Sequence, residues 1–171
     1  MSGIIKRIEL VANVAIIVVA ILLGVVLVRN YLLPRSRAPQ QAAASSIPPG
    51  TKLLLPGVDW KANGKTLVLA LSTGCHFCTD SGAFYQRVAQ ERAKAGNLRL
   101  VAVFPEPVPE GQKYLSNLGV TVDEVRQARL DSIGVAGTPT LIMADGEGSV
   151  LDSWRGRLPR EKESEVFARL K

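Results

Sequence analysis

From Leu10 to Val28 the chain runs 19 residues without a charged side chain, and only Asn13 and Gly24 interrupt the apolar ones. At ~1.5 Å rise per residue, a helix of this run reaches ~28 Å, close to the hydrocarbon thickness of a bilayer. A core helix of a globular domain keeps a polar face, which this run lacks. The apolar stretch of a cleaved signal is about 7–15 residues, shorter than this one. Ala42-Ala43-Ala44 looks like a small-residue cleavage site but begins 14 residues past the run. The expectation is an uncleaved anchor over 10–28 behind a short tail, 1–9, with a cleaved signal as the alternative.

The same run reorganises the charge. The 171 residues hold 21 Lys+Arg against 15 Asp+Glu, a formal +6, which alone would point to nucleic acid. Of this, the first 50 residues contribute five basic and one acidic side chain: Lys6 and Arg7 lie before the run, and Arg29, Arg35 and Arg37 after it. Snorkelling and headgroup contact account for basic residues in those places. From Thr51 on there are 16 basic and 14 acidic residues, a net of +2, with no Lys/Arg run interleaved with aromatics. Nucleic acid is therefore not an expected partner. The positive-inside rule, with two basic residues before the run and three after, mildly favours a cytoplasmic C-terminal domain. Glu9 and the α-amino group leave that rule undecided.

Residues 34–50 read PRSRAPQQAAASSIPPG, with no apolar period. This is the composition of a tether, so 29–50 is expected to be a flexible linker and 51–171 the folded domain. Within that domain Thr66–Ser72 is an apolar run suited to a buried strand, and Cys75–Ala95 a helix carrying Phe77, Phe84 and Val88 on one side. Leu98–Phe104 is a second buried strand. Pro109–Leu118 reads as a helix, Val122–Val125 as a short extended piece and Ala128–Ile133 as a short helix. Thr140–Ala144 and Ser149–Arg155 flank the turn Asp145-Gly146-Glu147-Gly148 as a hairpin. Arg160–Leu170 is a final amphipathic helix with Val166, Phe167 and Leu170 inward. The order β-α-β, an α-containing connection, then a hairpin and a helix, gives an α/β domain. Its expected form is three-layered, a mixed central sheet with helices on both faces.

Both cysteines and the only histidine fall in Cys75-His76-Phe77-Cys78. A C-x-x-C that follows a buried strand and opens a helix reads as a redox motif. Orphan N–H groups and the positive end of the helix dipole favour a thiolate at Cys75, the nucleophilic form. Cys78 is spaced to resolve a mixed disulfide formed there. His76 either supports that thiolate or faces solvent. A zinc site on one chain lacks two further ligands, so no metal is expected. Haem attachment fails because position 79 is Thr. A purely structural bridge would close too short a loop to stabilise much. Thr138-Pro139 lies 64 residues after Cys75, at the start of the third strand.

The strand, the Cys75–Cys78 motif, the long helix, and Gly137-Thr138-Pro139-Thr140 followed by strand, turn and strand resemble the thioredoxin fold. With the anchor and tether the chain is similar to the TlpA/ResA-type membrane-anchored thiol-disulfide oxidoreductases. The resemblance implies that Cys75 attacks and Cys78 resolves. It implies a cis Pro139 that, with Thr138, packs against the disulfide and presents backbone to substrate. Asp145-Gly146 and Gly156 correspond to the family's hairpin turn and the glycine after its last strand. There are departures: Gly74 stands where the family has Trp, Phe77 where it often has Pro, and Leu69 where an acidic or polar residue often sits. Ala83, beside Gly82, replaces the helix-kinking proline. Glu106, after the second strand, lies near a functional glutamate of some relatives and is either a proton relay or an exposed loop carboxylate.

The implied activity is disulfide exchange with protein thiols, needing no cofactor beyond the dithiol, with a separate protein as electron donor or acceptor. The implied place is the cytoplasmic membrane of a bacterium, with the domain on the extracytoplasmic side, where such exchange has its usual task. The alternative from another class is a non-catalytic binding or assembly module on the same fold. A peroxidase fits poorly, because no P-x-x-x-T-x-x-C pattern leads into Cys75.

Overall fold

The computed structural model describes residues 16–23, 47–96 and 98–170. The chain divides into two units, Met1–Gln40 and Gln41–Lys171. In the first, residues 16–23 form helix α1, and Ile16, Ile17, Val18, Val19, Ile21, Leu22 and Leu23 are all exposed. The tail 1–9, the rest of the expected anchor (10–15 and 24–28) and linker residues 29–46 lie outside the described residues. Among the described residues, no helix is long and apolar enough to cross a membrane.

The second unit is built on a five-stranded sheet. Its strands are β1 (Lys65–Ala70), β2 (Leu98–Phe104), β3 (Glu124–Gln127), β4 (Thr140–Ala144) and β5 (Val150–Arg155). They lie in the order β3-β2-β1-β4-β5. β1 pairs in parallel with β2, and β2 with β3; β4 runs antiparallel to both β1 and β5. The continuous apolar sequences of β1, β2 and β4 follow from burial on both faces. Alternation sends Leu67, Leu69, Leu100, Ala102, Phe104, Leu141 and Met143 to one face. Val68, Ala70, Val101, Val103, Ile142 and Ala144 go to the other.

The helices are α2 (Trp60–Asn63), α3 (His76–Asp80), α4 (Gly82–Ala95), α5 (Val108–Asn117) and α6 (Arg160–Leu170), with a 3₁₀ turn at Asp131–Ile133. They cover both faces, but unequally. Phe84, Tyr85 and Val88 of α4, Leu115 of α5 and Val166 and Leu170 of α6 all join the first face. The second face is closed by Leu53 and Leu55, by Ile133 and Val135 around the 3₁₀ turn, and by Trp60 of α2. Ile47 is also buried there, so the folded unit takes in residues that the sequence assigns to the tether.

The expected single helix over Cys75–Ala95 is two helices that meet at Ser81. The Ser81 hydroxyl donates to the Phe77 carbonyl at 2.8 Å, its backbone stands at φ −89°, ψ 3°, and Gly82 follows. A Ser-Gly pair is a recognised cause of a kink. The break thus sits just before Ala83. It also explains a second difference: Phe77, expected to point inward with Phe84 and Val88, belongs to the separate α3 and is 57% exposed. The short extended piece expected at Val122–Val125 is β3, two residues further on. The expected helix at 128–133 is reduced to the 3₁₀ turn, which Gly134 closes.

α5 owes its close seat to one glycine. A Cβ on Gly111 would meet the Phe104 ring at 2.7 Å, so only a residue without a side chain lets the helix approach β2 this closely. Glycine serves a different need at the end of α4, where Gly96 takes the left-handed cap at φ +70°.

Candidate active site

The site begins where β1 ends. Ser72, Thr73 and Gly74 lead from the strand to Cys75, which caps α3 with φ −87° and ψ 109°. Cys75 is half-buried and its sulfur accepts the backbone N–H of Cys78 at 3.1 Å. The same N–H lies 3.1 Å from the Cys75 carbonyl, so it is shared between oxygen and sulfur. Both cysteines are free thiols.

Cys78 is fully buried, packed among Leu69, Leu71, Phe84 and Tyr85 in the first-face core. Burial pushes its thiol up to about 12, and the hydrogen bond with the Cys75 side chain adds to this; Ser72 backbone and the Thr138 side chain pull weakly the other way. At neutral pH Cys78 is therefore a protonated thiol in an apolar pocket. Below it the Tyr85 phenol is also buried, and burial raises its pKa as well.

The Thr138–Pro139 bond is cis. The Pro139 carbonyl accepts from Gly156 N at 2.7 Å, and Thr140 Oγ1 donates to Gly137 O at 2.7 Å. These bonds hold the loop at the head of β4, with Thr138 against the Cys78 thiol.

His76 takes the outward course. Its side chain is 81% exposed and its Nε2 stands 3.3 Å from Asp80 Oδ2, an (i, i+4) pair that Arg157 also approaches at 3.4 Å. Among the described residues no hydrogen bond joins the imidazole to either sulfur.

Glu106 is more engaged than a loop carboxylate would be. One oxygen, Oε1, accepts from Ser72 Oγ at 2.7 Å, from Thr73 N at 3.1 Å and from Thr73 Oγ1 at 3.1 Å. The other, Oε2, is buried and has no partner among the described residues. Burial raises the carboxyl pKa, but the Ser72 and Thr73 hydrogen bonds outweigh it and leave the group below its ordinary range. The bonds fix the loop that delivers Cys75, and none reaches a sulfur.

Two residues that sequence analysis did not single out complete the surroundings. Thr79 donates to the Cys75 carbonyl from its N–H at 3.2 Å and from its hydroxyl at 3.4 Å. Tyr114 of α5 places its hydroxyl 3.0 Å from Thr79 Oγ1. A threonine after a cysteine and a tyrosine on a distant helix carry no sequence signal, because their pairing is a product of how α5 packs. No group of three or more His, Cys, Asp or Glu side chains able to hold a metal occurs among the described residues.

A cysteine pair at the head of a broken helix, a cis-proline loop facing it and this sheet order define a thioredoxin-like fold. The chain is similar in structure to the thioredoxin domain of a thiol-disulfide oxidoreductase from Bacteroides vulgatus, with a TM-score of 0.54 at 17% identity, over 72% of this chain and 97% of that one. It is likewise similar to a thiol:disulfide interchange protein from Bacteroides sp. (TM-score 0.53, 18% identity, 74% and 88% covered). StoA from Bacillus subtilis gives a TM-score of 0.51 at 14% identity, with 64% and 84% covered. At these identities the likeness is one of fold. No protein-family model matches the chain, and no curated protein matches its sequence.

Proposed function

We propose that this chain is a membrane-tethered thiol-disulfide oxidoreductase that exchanges disulfides with protein substrates. One observation carries the reading: a half-buried Cys75 sulfur that accepts a backbone N–H, set over a Cys78 thiol that is wholly buried and held neutral. That asymmetry divides the labour. Cys75, as thiolate, attacks one sulfur of a substrate disulfide; the S–S bond breaks and one substrate thiolate leaves, taking up a proton. Cys78 then loses its proton and attacks the Cys75 sulfur, which releases the second substrate thiol and leaves a Cys75–Cys78 disulfide. Two electrons pass from protein to substrate, and the reverse sequence passes a disulfide outward. A partner protein of opposite redox state regenerates the site.

Thr138 and Pro139 form the wall against which a substrate segment lies, and exposed Phe77 and His76 form the outer rim. Glu106, ionised at neutral pH, is an anchor for the Ser72–Thr73 loop in this scheme. The tether is supported by the uncharged run 10–28 and by α1, which exposes apolar side chains along its length. The domain belongs on the extracytoplasmic side of a bacterial membrane because protein disulfides persist in oxidising compartments.

Insulin reduction by residues 47–171, with wild type against Cys75→Ser, tests the activity: the variant should lose it, and equal rates would overturn the reading. Labelling of intact cells with a membrane-impermeant thiol reagent tests the topology. Cys75 should react without lysis; reaction only after lysis would place the domain inside.

A further inference from the structure

We propose that Tyr114 is a positioning residue for Cys75, acting through Thr79 to favour the reduced dithiol. The inference rests on the oxidoreductase reading and extends it to a residue outside the motif. Three donors converge on the Cys75 carbonyl: Cys78 N at 3.1 Å, Thr79 N at 3.2 Å and Thr79 Oγ1 at 3.4 Å. Thr79 has one hydroxyl proton and gives it to that carbonyl. The 3.0 Å contact with Tyr114 allows either hydroxyl as donor; with the Thr79 proton assigned to the carbonyl, the phenol donates in it. The result is a chain, Tyr114 O–H to Thr79 O–H to Cys75 C=O, in which each bond polarises the next.

The chain matters because the Cys78 N–H has two acceptors, the Cys75 carbonyl and the Cys75 sulfur, each at 3.1 Å. A carbonyl well supplied by Thr79 leaves more of that N–H to the sulfur. The sulfur is the better acceptor as thiolate than as half of a disulfide, so the chain stabilises the reduced state.

The fold makes this placement specific. Gly111 lets α5 close on Phe104, and the Tyr114 ring meets Phe104 edge-on at 5.8 Å. The segment that carries Tyr114 starts at Glu106, flanked by Pro105 and Pro107. Glu106 holds Ser72 and Thr73 ahead of Cys75, while Tyr114 holds Thr79 behind Cys78. One segment thus grips the motif from both sides.

The test is the equilibrium of the domain with glutathione, in which protein dithiol plus oxidised glutathione gives protein disulfide plus two reduced glutathiones. Tyr114→Phe keeps the ring and its packing and removes only the donor. The equilibrium constant should move about threefold toward the disulfide, within the net worth of one hydrogen bond, which is ~14 mV more negative at 29.6 mV per tenfold. Thr79→Val should move it by a similar factor, the double variant no further than either single one, and Thr79→Ser should restore the wild-type value. Lys113→Ala, exposed on the same helix, should leave it unchanged. A wild-type equilibrium in Tyr114→Phe, or shifts that add in the double variant, would overturn the inference while leaving the oxidoreductase reading intact. A wild-type domain with no glutathione-dependent equilibrium at all would overturn that reading and the inference with it.

Discussion

The two faces of the sheet are packed to different ends. The face away from the dithiol is filled mainly by aliphatic side chains, Val68, Val101, Val103, Ile142 and Val150 among them, with Trp60 packed against them. The dithiol face carries the aromatic side chains Phe84, Tyr85, Phe104 and Trp154, together with Cys78, and its rim holds Thr79 and Tyr114. The first is a packing surface whose loss is felt as stability. The second gives part of its interior to a thiol, a phenol and a kinked helix, and under the proposed function its perturbation is felt as reactivity. The contrast shows how a small α/β domain supports a reactive group: one side supplies the rigidity and the other is free to carry polar atoms.

Substitutions that separate the two effects break or sharpen this comparison. The largest expected effect lies on the packing face. Ile142 is fully buried at the centre of β4, so Ile142→Ala should cost about 2–5 kcal/mol of unfolding free energy. Its glutathione equilibrium should stay within a factor of two; a larger shift would mean that the faces are not separate.

Next come the two sulfurs. With Cys78 pushed up to about 12, only roughly one molecule in ten thousand carries its thiolate at pH 8. Iodoacetamide on the folded, reduced domain should add one label, at Cys75, and mass spectrometry should find a second only after denaturation. The linked stability has a definite sign. A raised thiol pKa in the folded state gives stability that is complete below about 9, the ordinary thiol value, and is lost as pH climbs towards about 12. The reduced domain should lose melting temperature across that window. Cys78→Ala should not show that loss, and a wild type equally flat would count against a neutral buried thiol.

Glu106→Gln should act more gently. The carboxylate is held below its usual range by the Ser72 and Thr73 donors, so its contribution is present above about 4.5 and fades as pH falls. The variant should be about 1 kcal/mol less stable at neutral pH, and its deficit should narrow in acid as the wild type loses the same bonds.

The smallest effect belongs to His76. An 81% exposed imidazole paired with Asp80 should be worth less than about 0.5 kcal/mol, and His76→Ala should leave the glutathione equilibrium within a factor of two. A larger shift would show that the imidazole reaches the thiolate after all.

Local signals on the chain carried the α/β class, the strands at Leu98–Phe104 and Thr140–Ala144, the final helix at Arg160–Leu170 and the cysteine pair. Apolar runs of strand length and a C-x-x-C after one of them need no knowledge of distant residues. The break at Ser81 was less legible, because a glycine inside a helical pattern is also tolerated without a kink.

What only the tertiary structure decided is which groups meet. It put α4, α5 and α6 on one face, buried Ile47 with the domain, turned Phe77 outward and set Glu106 on the Ser72–Thr73 loop. It also joined Tyr114 to Thr79 across 35 positions of sequence. The physical reason is the same in each case. Burial and hydrogen-bond pairing are settled by the packing of whole elements, and a residue's own neighbours in sequence do not say which element will close over it.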